Sequence, residues 1–222
     1  VDMYARFGLL LDAQQVFDND LLTEVASWNV LIASSINYGY ENEAFDIFQL
    51  MLLHSVCPDV TAFVYRLKTC NATGAKHKGR EIHAEAERKG FLECETSVGN
   101  ALIHMYGKSH SQEKAQKVFD KLPLQNVVSR TILMVGYSQI GECEKVVSIF
   151  DTMLEEGLKP DSVTFIAILA ACSRVGLSHE SERLFESMSK EYGVPPTLQH
   201  RACMVDLLGR IGRVDKAVEM IR

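Results

Sequence analysis

Long apolar runs are missing from this chain: none approaches the roughly 18–20 residues that a membrane-spanning helix needs. Closely spaced cysteines are missing too. Cys57, Cys70, Cys94, Cys143, Cys172 and Cys203 stand far apart, so no Cys-x-x-Cys metal pair exists. Most lie in helical patterns, where a free cysteine behaves as a small apolar residue. The chain therefore reads as one from a reducing compartment, without a disulfide framework. Asn71-Ala72-Thr73 matches a glycosylation sequon, but nothing else suggests secretion. Proline (5) and glycine (14) are too scarce for a low-complexity chain. A basic excess is lacking: the formal net charge is -6. That weighs against phosphate-driven binding by bulk charge and leaves room for a local basic stripe. No Walker loop, nucleophile elbow or zincin helix occurs. No metal, cofactor, membrane or small-molecule substrate is expected.

What is present is a repeat. The 222 residues, 47% of them apolar, suffice for a sizeable core. A glycine leads, nine residues on, to a bulky residue: Gly8 to Phe17, Gly39 to Phe48, Gly74 to His83, Gly141 to Phe150, Gly176 to Phe185, Gly212 to Ile221. His110 replaces the glycine once and leads to Phe119. The intervals between these landmarks run 31, 35, 36, 31, 35 and 36 residues, a three-length cycle completed twice. Repeat boundaries set from the first helix fall at 1–24 (partial), 25–59, 60–95, 96–126, 127–161, 162–197 and 198–222 (partial). Val1 and Arg222 both fall inside helical patterns, so the chain reads as a piece of a longer protein.

Within a repeat the fourth, seventh, eighth and eleventh residues are mostly apolar, which is one face of a helix. Trp28, Leu31 and Ile32 show it, with Ser35 the exception; Phe165, Ile168, Leu169 and Cys172 show it in full. The second helix follows the same logic, as in Ala44, Ile47, Phe48 and Met51, or Ala115, Val118 and Phe119. Glycine between the helices suits a left-handed cap. Pro58 and Pro160 suit the turn that closes a repeat. One helical hairpin cannot bury its apolar faces alone, whereas stacked neighbours can. The expectation is an all-α, right-handed α-solenoid of helix-turn-helix repeats forming one array over 1–222, its handedness taken from known helical-repeat folds.

The repeats resemble the pentatricopeptide repeat family, specifically plant arrays that alternate long, short and standard repeats. Val-Ala-Ser-Trp-Asn-Val-Leu-Ile at 25–32 and Gly-Leu-Lys-Pro-Asp at 157–161 look like the start and end of the standard repeat. Gly-Asn-Ala-Leu-Ile-His-Met-Tyr at 99–106 with Ala-Gln-Lys-Val-Phe-Asp at 115–120 looks like the short one, and Gly-Arg-Glu-Ile-His-Ala at 79–84 like the long one. Residues 202–213 resemble the last short repeat before a C-terminal extension. Tetratricopeptide repeats keep one period near 34 residues, which this chain does not.

Residues five, nine and thirteen of a repeat share a stripe distinct from the apolar one. The resemblance implies single-stranded RNA as partner, read one base per repeat by residue five and the last residue. Carried over, Asn29 with Asp59 implies uridine, Asn100 with Asn126 a pyrimidine, and Thr131 with Asp161 guanosine. Val64 with Glu95 and Ile166 with Thr197 are assigned no base, because an aliphatic side chain cannot bond a base edge. The implied target over repeats two to five is 5′-U-N-Y-G-3′. This reading requires the polar slots to open along one groove wall. The same residue types also cap helices.

Residue thirteen is Arg6, Lys108, Arg174 or Arg210 in four repeats. These are candidate phosphate contacts, and equally suit the negative end of the helix dipole. Arg130 stands where the sister repeat has Trp28, and Arg201 where the family often has tyrosine; each must reach water along its stem or stack on a neighbour. His83-Ala84-Glu85 matches half of a deaminase signature, but the Cys-x-x-Cys half is absent, and His83 reads as a packing residue.

The resemblance implies no enzyme within this stretch. It implies a site-recognition factor in chloroplast or mitochondrial C-to-U RNA editing, with editing-complex proteins as further partners and any deaminase C-terminal to Arg222. A factor for RNA stability or splicing, and a helical scaffold that binds peptides, are the alternatives.

Overall fold

The computed structural model describes residues 24–73 and 76–221. Every regular element among them is helical: α1 Val25–Asn37, α2 Glu41–Leu53, α3 Val60–Thr73, α4 Lys76–Arg88, α5 Phe91–Cys94, α6 Thr96–Lys108, α7 Gln112–Asp120, α8 Val127–Ile140, α9 Cys143–Glu155, α10 Ser162–Val175, α11 Ser178–Lys190, α12 Leu198–Arg210 and α13 Val214–Ile221. The helices α1, α3, α6, α8, α10 and α12 begin at the residues where the periodicity starts its repeats. Among the described residues no helix is long and apolar enough to cross a membrane.

The helices sort into two compact units. One runs to Ser109 and takes in Asp120–Pro123; the other holds His110–Phe119 and the chain from Leu124 onward. In the first unit α1 packs against α2 and α3, and α3 packs against α2, α4 and α6. Trp28, Leu31 and Ile32 of α1 meet Ala44, Phe48 and Met51 of α2 and Ala62 of α3 in one core. Phe63 and Phe91 meet edge to face, centroids 5.0 Å apart. Each such side chain contributes about 1.5–3 kcal/mol of burial.

In the second unit α8 packs against α9 and α10, and α10 against α9, α11 and α12. Phe165 of α10 stands at the centre, between Phe150 at 5.9 Å and Tyr192 at 5.5 Å. Within each unit, then, a first helix touches its own second helix and the first helix of the next repeat. This is what lets hairpins without a core of their own share one.

The described landmark glycines are left-handed, Gly39 and Gly212 one residue past the caps of α1 and α12. Gly141 (φ 82) and Gly176 (φ 78) close α8 and α10. His110 takes the same conformation, φ 56, without a glycine's freedom.

Candidate nucleic-acid interface

The last residue of a repeat starts the next helix. Asp59 Oδ1 accepts from the Ala62 N–H at 2.8 Å. Asn126 Oδ1 accepts from the Ser129 N–H at 3.0 Å. Asp161 Oδ1 accepts from the Thr164 N–H and hydroxyl, both at 2.8 Å, while the Asp161 N–H reaches back to Thr164 Oγ1 at 3.3 Å. Thr197 forms a similar box with His200. Each bond donated by a backbone N–H satisfies an amide that a helix start leaves orphaned.

The fifth residue comes to the same place from the preceding first helix. Asn29 Nδ2 donates to both carboxylate oxygens of Asp59, at 3.0 and 3.1 Å. A carboxylate can only accept, so the Asn29 amide orientation is fixed and its Oδ1 faces elsewhere. That Oδ1 is buried and has no partner among the described residues, and the same holds for Asn100 Oδ1. Thr131 reaches Asp161 indirectly: its hydroxyl lies 2.6 Å from Thr164 Oγ1, which donates to Asp161.

One sequence expectation is corrected here. The slots were expected to lie open, yet Asn29 keeps 9% of its accessible surface and Thr131 5%. The fifth residue lies against the start of the following first helix, and the polar groups there shield each other. Asp59 and Asp161 are exposed and Asn126 half-buried, so the last residue is the outward member of a slot. Val64 and Ile166, the aliphatic fifth residues, are half-buried.

The candidate phosphate contacts differ among themselves. Lys108 is exposed and in no ion pair among the described residues. Arg174 donates to the Ser138 carbonyl. Arg210 Nε donates to both oxygens of Asp206 at 3.0 Å, and Ser173 donates to the same carboxylate at 2.7 Å. The Ser173 bond and then the Arg210 bonds hold the Asp206 carboxyl below its ordinary pKa. Arg174 and Arg210 are therefore already engaged within the chain. Arg6 lies outside the described residues.

Arg130 is explained by packing. Its guanidinium, 5% exposed, ion-pairs with Glu156 at 2.6 Å and stands 5.9 Å above the Phe119 ring. Arg201 is exposed, with Nη1 3.5 Å from the Met220 carbonyl. His83 packs edge-on to Tyr106, its Nδ1 2.8 Å from the phenol oxygen. Among the described residues no group of three or more His, Cys, Asp or Glu side chains can hold a metal ion.

The sequence reading passed over two exposed valines. Val128 (52% exposed) and Val163 (50%) hold the second place of successive repeats, three residues before Thr131 and Ile166. The signal was available: both are apolar at a place off the buried face.

Comparison with known proteins decides the family. The "PPR repeat family" profile matches residues 125–174, and the "PPR repeat" profile matches 26–56 and 163–192. Matches to curated pentatricopeptide repeat proteins run the whole length of the chain. CRR2, chloroplastic, of Arabidopsis thaliana is 39% identical over 224 residues, covering 100% of this chain and 34% of that protein. The chain belongs to the pentatricopeptide repeat family. A second Arabidopsis thaliana member, the putative pentatricopeptide repeat-containing protein At3g11460, mitochondrial, is 34% identical over all of this chain and 35% of its own length. The chain thus spans about a third of these relatives. Among solved structures, the pentatricopeptide repeat protein PPR10 in complex with an 18-nt psaJ RNA element matches with a TM-score of 0.81 at 19% identity, covering 98% of this chain and 32% of that one. PPR10 from maize matches with a TM-score of 0.67 at 22% identity. The fold is the all-α helical-repeat solenoid of this family.

Proposed function

We propose that this chain is one repeat array that binds single-stranded RNA by sequence, each polar slot meeting one base. The observation that carries the reading is the Asn29–Asp59 pair. It is fixed in orientation, sits beside an exposed carboxylate, and retains a buried Asn29 Oδ1 with no donor to meet it. An unsatisfied buried acceptor costs about 1–3 kcal/mol, a cost that the N–H edge of a base would relieve once it displaces the groups that shield the slot. Asp59 or Asp161 meets the base first; Asn29 or Thr131, behind it, sets the hydrogen-bond pattern. The exposed faces of Val128 and Val163 offer apolar surface for the flat face of a base.

The base assignments are uridine at Asn29 and Asp59, a pyrimidine at Asn100 and Asn126, and guanosine at Thr131 and Asp161. Lys108 is the readiest phosphate contact; Arg174, Arg210 and Arg6 complete the candidate set. The relatives' names and PPR10's RNA complex support the RNA reading and a chloroplast or mitochondrial setting. The 31, 35 and 36 residue cycle supports an array of alternating long, short and standard repeats. From the resemblance to plant arrays of that kind we infer a site-recognition role in C-to-U editing, acting with editing-complex proteins.

The test is fluorescence anisotropy with labelled single-stranded oligoribonucleotides that vary the fourth base of 5′-U-N-Y-G-3′. The parent favours G there, and Thr131→Asn moves the preference toward U. Unchanged selectivity in that variant refutes the assignment. Equal affinity for all sequences refutes sequence reading altogether.

A further inference from the structure

The Thr131–Asp161 slot holds a third side chain. Thr164 of α10, the third residue of the next repeat, is fully buried, and its hydroxyl meets three polar groups. The Thr164 O–H donates to Asp161 Oδ1 at 2.8 Å, because a carboxylate only accepts. The Asp161 N–H donates to Thr164 Oγ1 at 3.3 Å. Thr131 Oγ1, on α8, lies 2.6 Å from that same oxygen.

A hydroxyl has a single proton to donate. Thr164 gives its own to the charged acceptor, which makes the stronger bond. The proton of the 2.6 Å contact therefore comes from Thr131, and the two hydroxyls form a one-way relay from Thr131 through Thr164 to Asp161. With its proton committed, Thr131 can offer a base only lone pairs. The Asp161 carboxylate likewise offers only lone pairs. The Asn29–Asp59 slot is built without a relay. Ala62 stands at the corresponding third place with no hydroxyl, and Asn29 bonds the carboxylate directly. Thr131 is bonded to its carboxylate through Thr164.

We propose that Thr164 is a positioning residue that sets the base preference of the Thr131–Asp161 slot: by holding the Thr131 proton it leaves the slot with acceptors alone, which favours guanine over adenine. This rests on the RNA-reading proposal above and adds a third residue to it, taken from the following repeat. Guanine carries adjacent N–H donors on its Watson–Crick edge, whereas the ring nitrogen of adenine there is an acceptor. A donor arriving at the free lone pairs of Thr131 strengthens the relay, because bonds in a chain polarise one another. An acceptor meets lone pairs, and obtains the Thr131 proton only by breaking the 2.6 Å bond to Thr164. The loss of one such bond is a discrimination of about two- to tenfold.

The experiment is anisotropy titration of the 222-residue chain with two labelled single-stranded RNAs, identical except for 5′-UACG-3′ in one and 5′-UACA-3′ in the other. The readout is the ratio of the two affinities. Thr164→Val removes the hydroxyl, keeps the backbone N–H that Asp161 caps, and frees the Thr131 proton. It should lower the G-over-A ratio by about two- to tenfold. Thr164→Ala repeats the measurement without crowding the core, and Thr164→Ser, which restores the hydroxyl, should keep the parent ratio. A purely structural role would weaken both RNAs alike and leave the ratio unmoved. A parent that prefers G while Thr164→Val and Thr164→Ala keep its ratio overturns the relay and leaves RNA reading intact. A Thr164→Ser ratio as low as that of Thr164→Val also overturns it. A parent without preference for G over A removes the slot assignment itself. A double-mutant cycle gives a second check: in a Thr131→Val background, Thr164→Val should leave the ratio unchanged, and an undiminished effect there shows that Thr164 does not act through Thr131.

Discussion

Asn29 and Asp59, thirty residues apart, share two hydrogen bonds of 3.0 and 3.1 Å, and the same carboxylate accepts from the Ala62 amide in the first turn of helix α3. One side chain thus closes a slot of α1 and opens the next helix. The local fold depends on Asp59 whether or not a ligand is bound.

Asp59→Ala removes the cap and strands the Asn29 amide. The expected cost is about 1–2 kcal/mol, read as a lower urea midpoint at unchanged slope. Asp59→Asn keeps a capping oxygen and should cost less. Equal midpoints for Asp59→Ala and the parent would contradict the shared role.

Arg130 and Glu156 should respond asymmetrically. Glu156→Ala leaves the covered guanidinium of Arg130 without its counter-charge, for an expected loss of about 1–2 kcal/mol; the half-exposed carboxylate keeps this below the cost at a fully buried pair. Arg130→Met keeps an unbranched apolar stem in the same space and removes the charge, so it should be nearly neutral. A thermal melt in which Arg130→Met is the worse of the two would reject this account.

At His110 the prediction is a gain. A non-glycine residue at φ 56 pays a steric cost that glycine avoids. His110→Gly should stabilise the chain by about 0.5–1 kcal/mol, with the increase visible in the unfolding midpoint. A loss of stability would show that the His110 side chain makes contacts worth more than its backbone strain.

The thiols divide by burial. Desolvation pushes the Cys172 thiol up to about 12, with Cys143 beside it, whereas Cys57 and Cys94 are exposed. Alkylation of the native protein should label Cys57 and Cys94 and spare Cys172 until the chain unfolds. The sign follows for stability. The folded pKa lies above the unfolded one, near 8.5, so the contribution is complete below that value. It is lost progressively as pH rises from there toward about 12. Mass mapping showing early Cys172 labelling would refute the buried assignment.

Helix starts were legible because they depend on local chemistry. Pro58 and Pro160 stand in the turns after α2 and α9, and Asp59 and Asp161 begin the next helix. The buried faces were legible because Trp28, Leu31 and Ile32 repeat at helical spacing. The substitution of His110 for glycine was visible, and its backbone conformation follows from its place. What the chain order hid were relations between helices. That Asn29 and Thr131 lie shielded depends on how closely successive first helices approach. The partner of Arg130 is 26 residues away, at the C-terminal cap of α9, and Arg174 is drawn to a carbonyl 36 residues earlier. Spacing along one helix does not encode such pairings. The basic stripe accordingly looked more uniform in sequence than it is in space.

The double engagement of Asp59 and Asp161 limits how such an array can change its target. At a repeat end that caps in this way, a replacement keeps the cap only if it is a short side chain with an acceptor, chiefly Asp, Asn, Ser or Thr, whereas Glu24 and Glu95 precede α1 and α6 without a side-chain cap bond. Retargeting by mutation at that place is therefore drawn from a small vocabulary. The fifth residue carries no cap and is the freer of the two to drift.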